Sequence, residues 1–153
     1  MSARPLAGLR GPLVGLLASL ALAGCATPAW THGAYEQNAK SALESASSET
    51  ASAALAVRLR LSDRATNAYA DTLVTASEKA MGGIETSFGG VDPPSPAEDD
   101  LRDSVEKSLG DAQDALSAAR IAVRRDDRRT MRAALRDLDA VTKALEDSGG
   151  QLG

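Results

Sequence analysis

The stretch GGVDPPSPAEDDLRDSVEKSLGDAQDALSAARIAVRR, Gly89 to Arg125, decides the fold. Its opening cannot continue a helix, because Pro93 and Pro94 lack the amide a helix interior needs and clash with the preceding turn. Ser95, Pro96 and Glu98 then have the form of a helix start: a serine N-cap, a proline at the first helical position and a glutamate able to reach back to the cap. From there Leu101, Val105, Ser108, Ala112, Leu116, Ala119 and Val123 recur in steps of three and four, the period of a helix with one buried face. The stretch therefore predicts a firm boundary followed by a long helix ending near Arg124.

The same period extends in both directions. Downstream, Asp126 or Asp127 can cap a helix whose inner face is Met131, Ala134, Leu138, Val141 and Leu145, and Gly149-Gly150 would close the domain, leaving 149–153 as a disordered tail. Upstream, a helix from Glu36 to Leu61 has the seam Ala39, Leu43, Ala46, Thr50, Ala53, Val57 and Leu61. Another from Ala68 to Phe88 has Tyr69, Leu73, Ala76, Ala80, Ile84 and Phe88 on one face. Two adjacent glycines, Gly82-Gly83, fall inside it at a cost of about 1 kcal/mol each relative to alanine, so a kink or a close helix contact is expected there. The break between these helices is weakly marked. Ser62-Asp63 and Thr66-Asn67 suit a turn, but no glycine or proline enforces it, and one continuous helix over 36–88 is the alternative. Short connections between helices of similar length predict an all-α, up-down-up-down four-helix bundle over 36–148. Alanine at many seam positions buries little area, so stability toward the low end of about 5–15 kcal/mol is expected.

Ahead of the helices stands a different kind of segment. Arg4 and Arg10 precede the uncharged, Leu/Ala-rich stretch Leu13 to Ala23, the layout of a secretory signal peptide, which is excluded from the fold. The stretch is too short to span a bilayer, which takes roughly 20 residues. No twin-arginine pair is present, which favours the general secretory route. The stretch ends Leu22-Ala23-Gly24-Cys25, and Cys25 is the single cysteine of the chain. This run resembles the lipobox of bacterial lipoproteins. The resemblance implies recognition of Leu22, Ala23 and Gly24 by a dedicated peptidase, removal of residues 1–24, and a diacylglycerol anchor on the Cys25 thiol that holds the protein at the outer face of the cell membrane. Residues 25–35 then read as the lipidated cysteine and a tether interrupted by Pro28 and Gly33. Trp30 suits either the lipid interface or the base of the domain, and His32, the only histidine, reads as a solvated tether residue. In composition and layout the chain is similar to small lipoproteins of actinobacteria, with 13 Arg against 4 Lys and abundant alanine.

Removing Arg4 and Arg10 from the 17 basic residues leaves 15 against 21 acids, a net charge of −6. That balance argues against nucleic-acid binding. No nucleophile elbow, P-loop, dinucleotide loop or zincin helix is present. A di-iron bundle site needs Glu-x-x-His pairs facing inward, and no histidine lies in the expected helices. The run Glu98-Asp99-Asp100 with Asp103 lacks Ca²⁺-loop spacing and reads as acids complementing a helix N-terminus. No enzyme activity, cofactor or metal site is expected.

Charge layout is the remaining signal. In the bundle, the turn after the first helix and the turn after the third share the end far from the tether. Arg58, Arg60, Arg64, Arg120, Arg124, Arg125, Arg128, Arg129 and Arg132 gather there, among Asp63, Asp126 and Asp127. Glu36, Asp92, Glu98, Asp99, Asp100, Asp103, Glu146 and Asp147 gather at the near end. Helix dipoles favour acids at N-termini and bases at C-termini, which accounts for the third helix and for the arginines ending the first. The fourth helix opposes the dipole, with arginines first and acids last. This predicts a non-enzymatic, membrane-anchored interaction module whose arginine-rich tip meets an anionic wall polymer or protein. The alternatives are a small-ligand carrier, with a pocket near Gly82-Gly83, Thr50 and Ser108, and a subunit of an envelope complex joined through Leu55 and Leu59.

Overall fold

Four helices carry the described residues, 31–152, of the computed structural model: α1 (His32–Leu61), α2 (Asn67–Gly89), α3 (Asp99–Arg124) and α4 (Arg128–Gly150), with a 3-10 turn, Pro96–Glu98, leading into α3. Leu22, Ala23, Gly24 and Cys25, which resemble a lipobox, the stretch before them and Trp30 lie outside the described residues. α1 and α3 each pack against both α2 and α4 and also meet across the diagonal. Paired residues fix the directions. Thr50 meets Thr142 and Arg58 meets Asp139 between α1 and α4, while Glu78 meets Arg120 and Asp71 meets Arg124 between α2 and α3. Neighbours therefore run antiparallel, as in the expected up-down-up-down bundle.

Both ends of the domain are longer than the sequence suggests. Thr31 is the N-cap of α1, its hydroxyl accepting from the Ala34 N–H at 3.2 Å, so His32 to Tyr35 are helical rather than tether. At the other end α4 runs through Gly150, Gly149 is buried, and Leu152 packs on the core. Residues 149–152 thus belong to the bundle and are not a disordered tail: Gly149 is enclosed where its Cα faces Leu43, whose Cβ would lie 3.7 Å from an added Cβ.

Two turns of one design reverse the chain. After α1, the Asp63 N–H donates to the Arg60 carbonyl at 3.1 Å and the Arg64 N–H to the Leu59 carbonyl at 2.9 Å. After α3, the Asp126 N–H donates to Val123 at 2.9 Å and the Asp127 N–H to Ala122 at 3.3 Å. Each is a Schellman closure, which requires a left-handed residue at its centre. Asp63 (φ 57°) and Asp126 (φ 49°) fill that place instead of glycine. Aspartate tolerates this region better than most residues because its short side chain can bond locally. That is why α1 and α2 separate without glycine or proline, and the continuous helix over 36–88 does not occur. Thr66 then caps α2 through the Tyr69 N–H, and Asp127 caps α4 through the N–H groups of Arg129 (2.9 Å) and Thr130 (3.4 Å).

The seams of α1, α3 and α4 lie close to their expected positions, with Ser108 and Val141 half-buried and Leu109 an added core residue. The α2 seam is rotated by one residue. Ala70, Val74, Ser77, Met81 and Phe88 are buried, whereas Tyr69 is 54% exposed and Ala76 and Ala80 face solvent. Burying Val74 and Met81 removes more apolar surface than burying Ala76 and Ala80, and it leaves the Tyr69 hydroxyl in water. Gly82 and Gly83 make no close helix contact, since an added Cβ would meet nothing within 4 Å, and the same is true of Gly110 in α3. Gly83→Ala and Gly110→Ala are therefore each expected to stabilise by about 1 kcal/mol. Thermal melts check this, and a loss of stability at either position would mean that the glycine has a packing role.

Candidate functional site

The two turns and their flanking helix ends form one surface. Arg60, its side chain 16% exposed, lies between both left-handed aspartates, with Nη1 donating to Asp63 Oδ1 at 2.9 Å and Nη2 to Asp126 Oδ1 at 2.8 Å. Arg128 donates from Nη1 to the same Asp63 oxygen at 3.0 Å and from Nη2 to the Leu61 carbonyl. The two Schellman turns are thus clamped by a four-residue network. Arg58 donates twice from Nη2 to Asp139, at 2.9 and 3.1 Å, Arg124 Nε meets Asp71 at 3.0 Å, and Arg120 meets Glu78. Five of the nine arginines singled out in the sequence, Arg58, Arg60, Arg120, Arg124 and Arg128, are therefore tied to acids, Arg60 and Arg128 to those of the turns and the other three to those of neighbouring helices.

Arg64, Arg125, Arg129 and Arg132 make no ion pair among the described residues. All four are exposed. Arg136, which the sequence reading left out, joins them: it too is exposed and unpaired. Arg129, Arg132 and Arg136 occupy positions i, i+3 and i+7 of α4, on the side opposite the buried Met131, Ala134 and Leu138. With Arg125 at the C-cap of α3 they form a stripe pointing into solvent. The spacing 129–132–136 was the available signal for Arg136. Arg136 lies about two helical turns from the loop, so the charge count at the turn does not include it.

The acids of the clamp have shifted affinities for protons. The hydrogen bond from Arg128, then its charge, holds the Asp63 carboxyl below its usual range, and the N–H groups of Arg129 and Thr130 do the same for Asp127. At the other end of the bundle, Glu98 is only 6% exposed. Ser95 Oγ donates to its Oε2 at 2.7 Å and His32 Nδ1 lies 2.9 Å from its Oε1, and these contacts lower its pKa in that order. His32 is thus helical rather than part of a tether, yet its side chain is 64% exposed, as a solvated residue; it also lies 3.2 Å from Glu36 and links the start of α1 to the start of α3. Groups with depressed folded pKa stabilise the protein above their unfolded pKa, and that contribution is lost as pH falls through the folded value. Glu85, raised by burial and then by Asp114, works in the opposite sense. With three lowered carboxyls against one raised, stability is expected to fall as pH drops through and below about 4. Urea titrations across pH check this, and Asp63→Asn should flatten the slope.

Beside Glu98, the Tyr35 ring packs on Phe88 with centroids 5.8 Å apart, and its buried hydroxyl finds no partner among the described residues. Burial pushes the pKa of that phenol up. Tyr35→Phe is expected to raise stability by about 1 kcal/mol, since it removes an unsatisfied buried group. Chemical denaturation measures it, and a loss of stability would mean that the hydroxyl is bonded in solution.

The residues suggested for a ligand pocket do not converge. Thr50 is fully buried, with its Oγ1 2.7 Å from that of Thr142, and Ser108 lines a surface hollow with Leu43, Asp100 and Leu152 that includes neither Thr50 nor the glycine pair. Leu55 is 52% exposed and Leu59 half-buried. Among the described residues no three His, Cys, Asp or Glu side chains are grouped to hold a metal, and no helix is long and apolar enough to cross a membrane. Compared with protein-family models, curated proteins and solved structures, the chain matches none.

Proposed function

We propose that this protein is a lipid-anchored, extracytoplasmic, non-enzymatic interaction module, and that its exposed arginine stripe contacts an anionic partner. The observation that carries this reading is the division among the arginines. Arg60 and Arg128 clamp the two turns and Arg58, Arg120 and Arg124 pair with acids of neighbouring helices, while Arg125, Arg129, Arg132 and Arg136 are exposed and make no ion pair among the described residues. Such a cluster costs repulsion within the folded protein, and an anionic partner relieves it. Guanidinium groups suit carboxylates and phosphates through bidentate contacts.

Anchorage at Cys25 makes the geometry directional. α1 begins seven residues later, and its 30 residues span about 45 Å. With α1 upright on the anchor, the stripe would stand beyond the ~8–10 Å screening length from its own membrane, which favours an anionic wall polymer or an acidic protein surface as its target.

The test is sedimentation of the purified protein with envelope fractions at low and high salt. Binding that weakens steeply with salt is expected, and it should disappear when Arg125, Arg129, Arg132 and Arg136 are changed to Gln. Binding indifferent to both salt and substitution would refute the reading.

A further inference from the structure

We propose that the groove between α3 and α4 beside the arginine stripe receives an acidic amphipathic helix of a partner protein. This rests on the stripe being a binding surface and names what it binds. The groove has a volume of ≈310 Å³, and its lining is mostly small and apolar: Ala118, Ile121 and Ala122 from α3, Ala133 and Ala134 from α4. Ile121 is 42% exposed, an unusual place for a β-branched aliphatic residue on a helix otherwise patterned for burial on one side. Small side chains on both walls allow a third helix to approach within ordinary interhelical distance.

Charge surrounds this apolar floor. Arg125 lines one wall. On the other, Thr130 and Asp137 line the groove beside Ala133, and Arg129 and Arg136, four residues before and three residues after Ala133, stand on its outer rim. A partner helix with a narrow Leu/Ala stripe and carboxylates along its flanks would place apolar atoms on Ile121 and acids on arginines at both sides. Direction follows as well. Asp137 lines the end of the groove away from the turns, and Arg125 the end beside them. The positive N-terminus of the partner helix belongs near Asp137 and its negative C-terminus near Arg125, parallel to α3.

A second copy docking through the same groove would bring the Arg125, Arg129 and Arg136 sets of both copies into one interface, which like-charge repulsion disfavours. A flexible polyanion would use the arginines alone and gain nothing from Ile121 and the alanines. An acidic helix uses both.

The test is selection of displayed helices of about 18 residues, five turns, randomised in surface charge and hydropathy, on the immobilised full-length protein. Selected helices and poly-L-glutamate, a coil polyanion, are then compared on wild type, Ala118→Trp and Ala133→Trp. These substitutions fill the groove from exposed or half-buried positions without changing charge. Selected helices should carry Asp or Glu flanking an apolar stripe and lose about tenfold or more in affinity for the tryptophan variants, while poly-L-glutamate binds all three proteins alike. Recovery of no helices, of helices without an apolar stripe, or of helices indifferent to the tryptophans overturns the proposal. If poly-L-glutamate still binds in those cases, only the groove assignment falls; if it binds nothing, the arginine-stripe reading falls too.

Discussion

Leu116→Ala and Leu138→Ala are each expected to lower the free energy of unfolding by about 3 kcal/mol, and the double variant is expected to be largely unfolded. Both leucines are 0% exposed, in the interiors of α3 and α4. The core around them is unusually lean. Much of its seam is alanine (Ala39, Ala46, Ala53 and Ala56 on α1, Ala112 and Ala119 on α3), which brings backbones close but removes little apolar area per residue. The burden falls on a few large side chains. A combined loss of about 6 kcal/mol exceeds the low end of the usual 5–15 kcal/mol. Urea unfolding followed by far-UV circular dichroism checks this. Single losses near 1 kcal/mol would show that close backbone packing, rather than leucine burial, holds the bundle.

Much of the architecture was legible because helix period and proline are strong local signals. Pro93-Pro94 forced the middle boundary, and the capping serine before Pro96 is in place, although Glu98 turns its carboxylate to Ser95 Oγ and His32 instead of back to the cap amide. The α1–α2 break was ambiguous because the sign of φ at Asp63 is set by the Schellman hydrogen bonds, which a residue list does not display. The same applies to Asp126, where the neighbouring Asp127 cap made the stop readable. The α2 face was misjudged because Tyr69, Leu73 and Val74 offer two overlapping stripes, and only packing against the other three helices selects the one through Val74, Met81 and Phe88. The end-to-end charge layout was legible as counts. The division into bonded and unbonded arginines was not, since it depends on which acids of other helices come within reach.

That division carries the second large effect. Arg129→Glu/Arg132→Glu/Arg136→Glu is expected to weaken binding to the anionic partner at least about a hundredfold, because each reversal removes an attraction and adds a repulsion of up to ~1 kcal/mol. Its melting temperature should match wild type or rise slightly, as these side chains make no ion pair among the described residues. Arg60→Gln/Arg128→Gln should do the reverse. It breaks the clamp on Asp63, Asp126 and the Leu61 carbonyl, so the melting temperature falls, while the exposed stripe and its affinity are retained.

The most direct measurement is therefore melting temperature and envelope-fraction affinity on these two variants side by side. The account requires opposite results: the triple variant stable but non-binding, the double variant less stable but binding. If both variants lose affinity in proportion to lost stability, or if the triple variant binds as wild type does, the exposed stripe is not the surface that meets the partner.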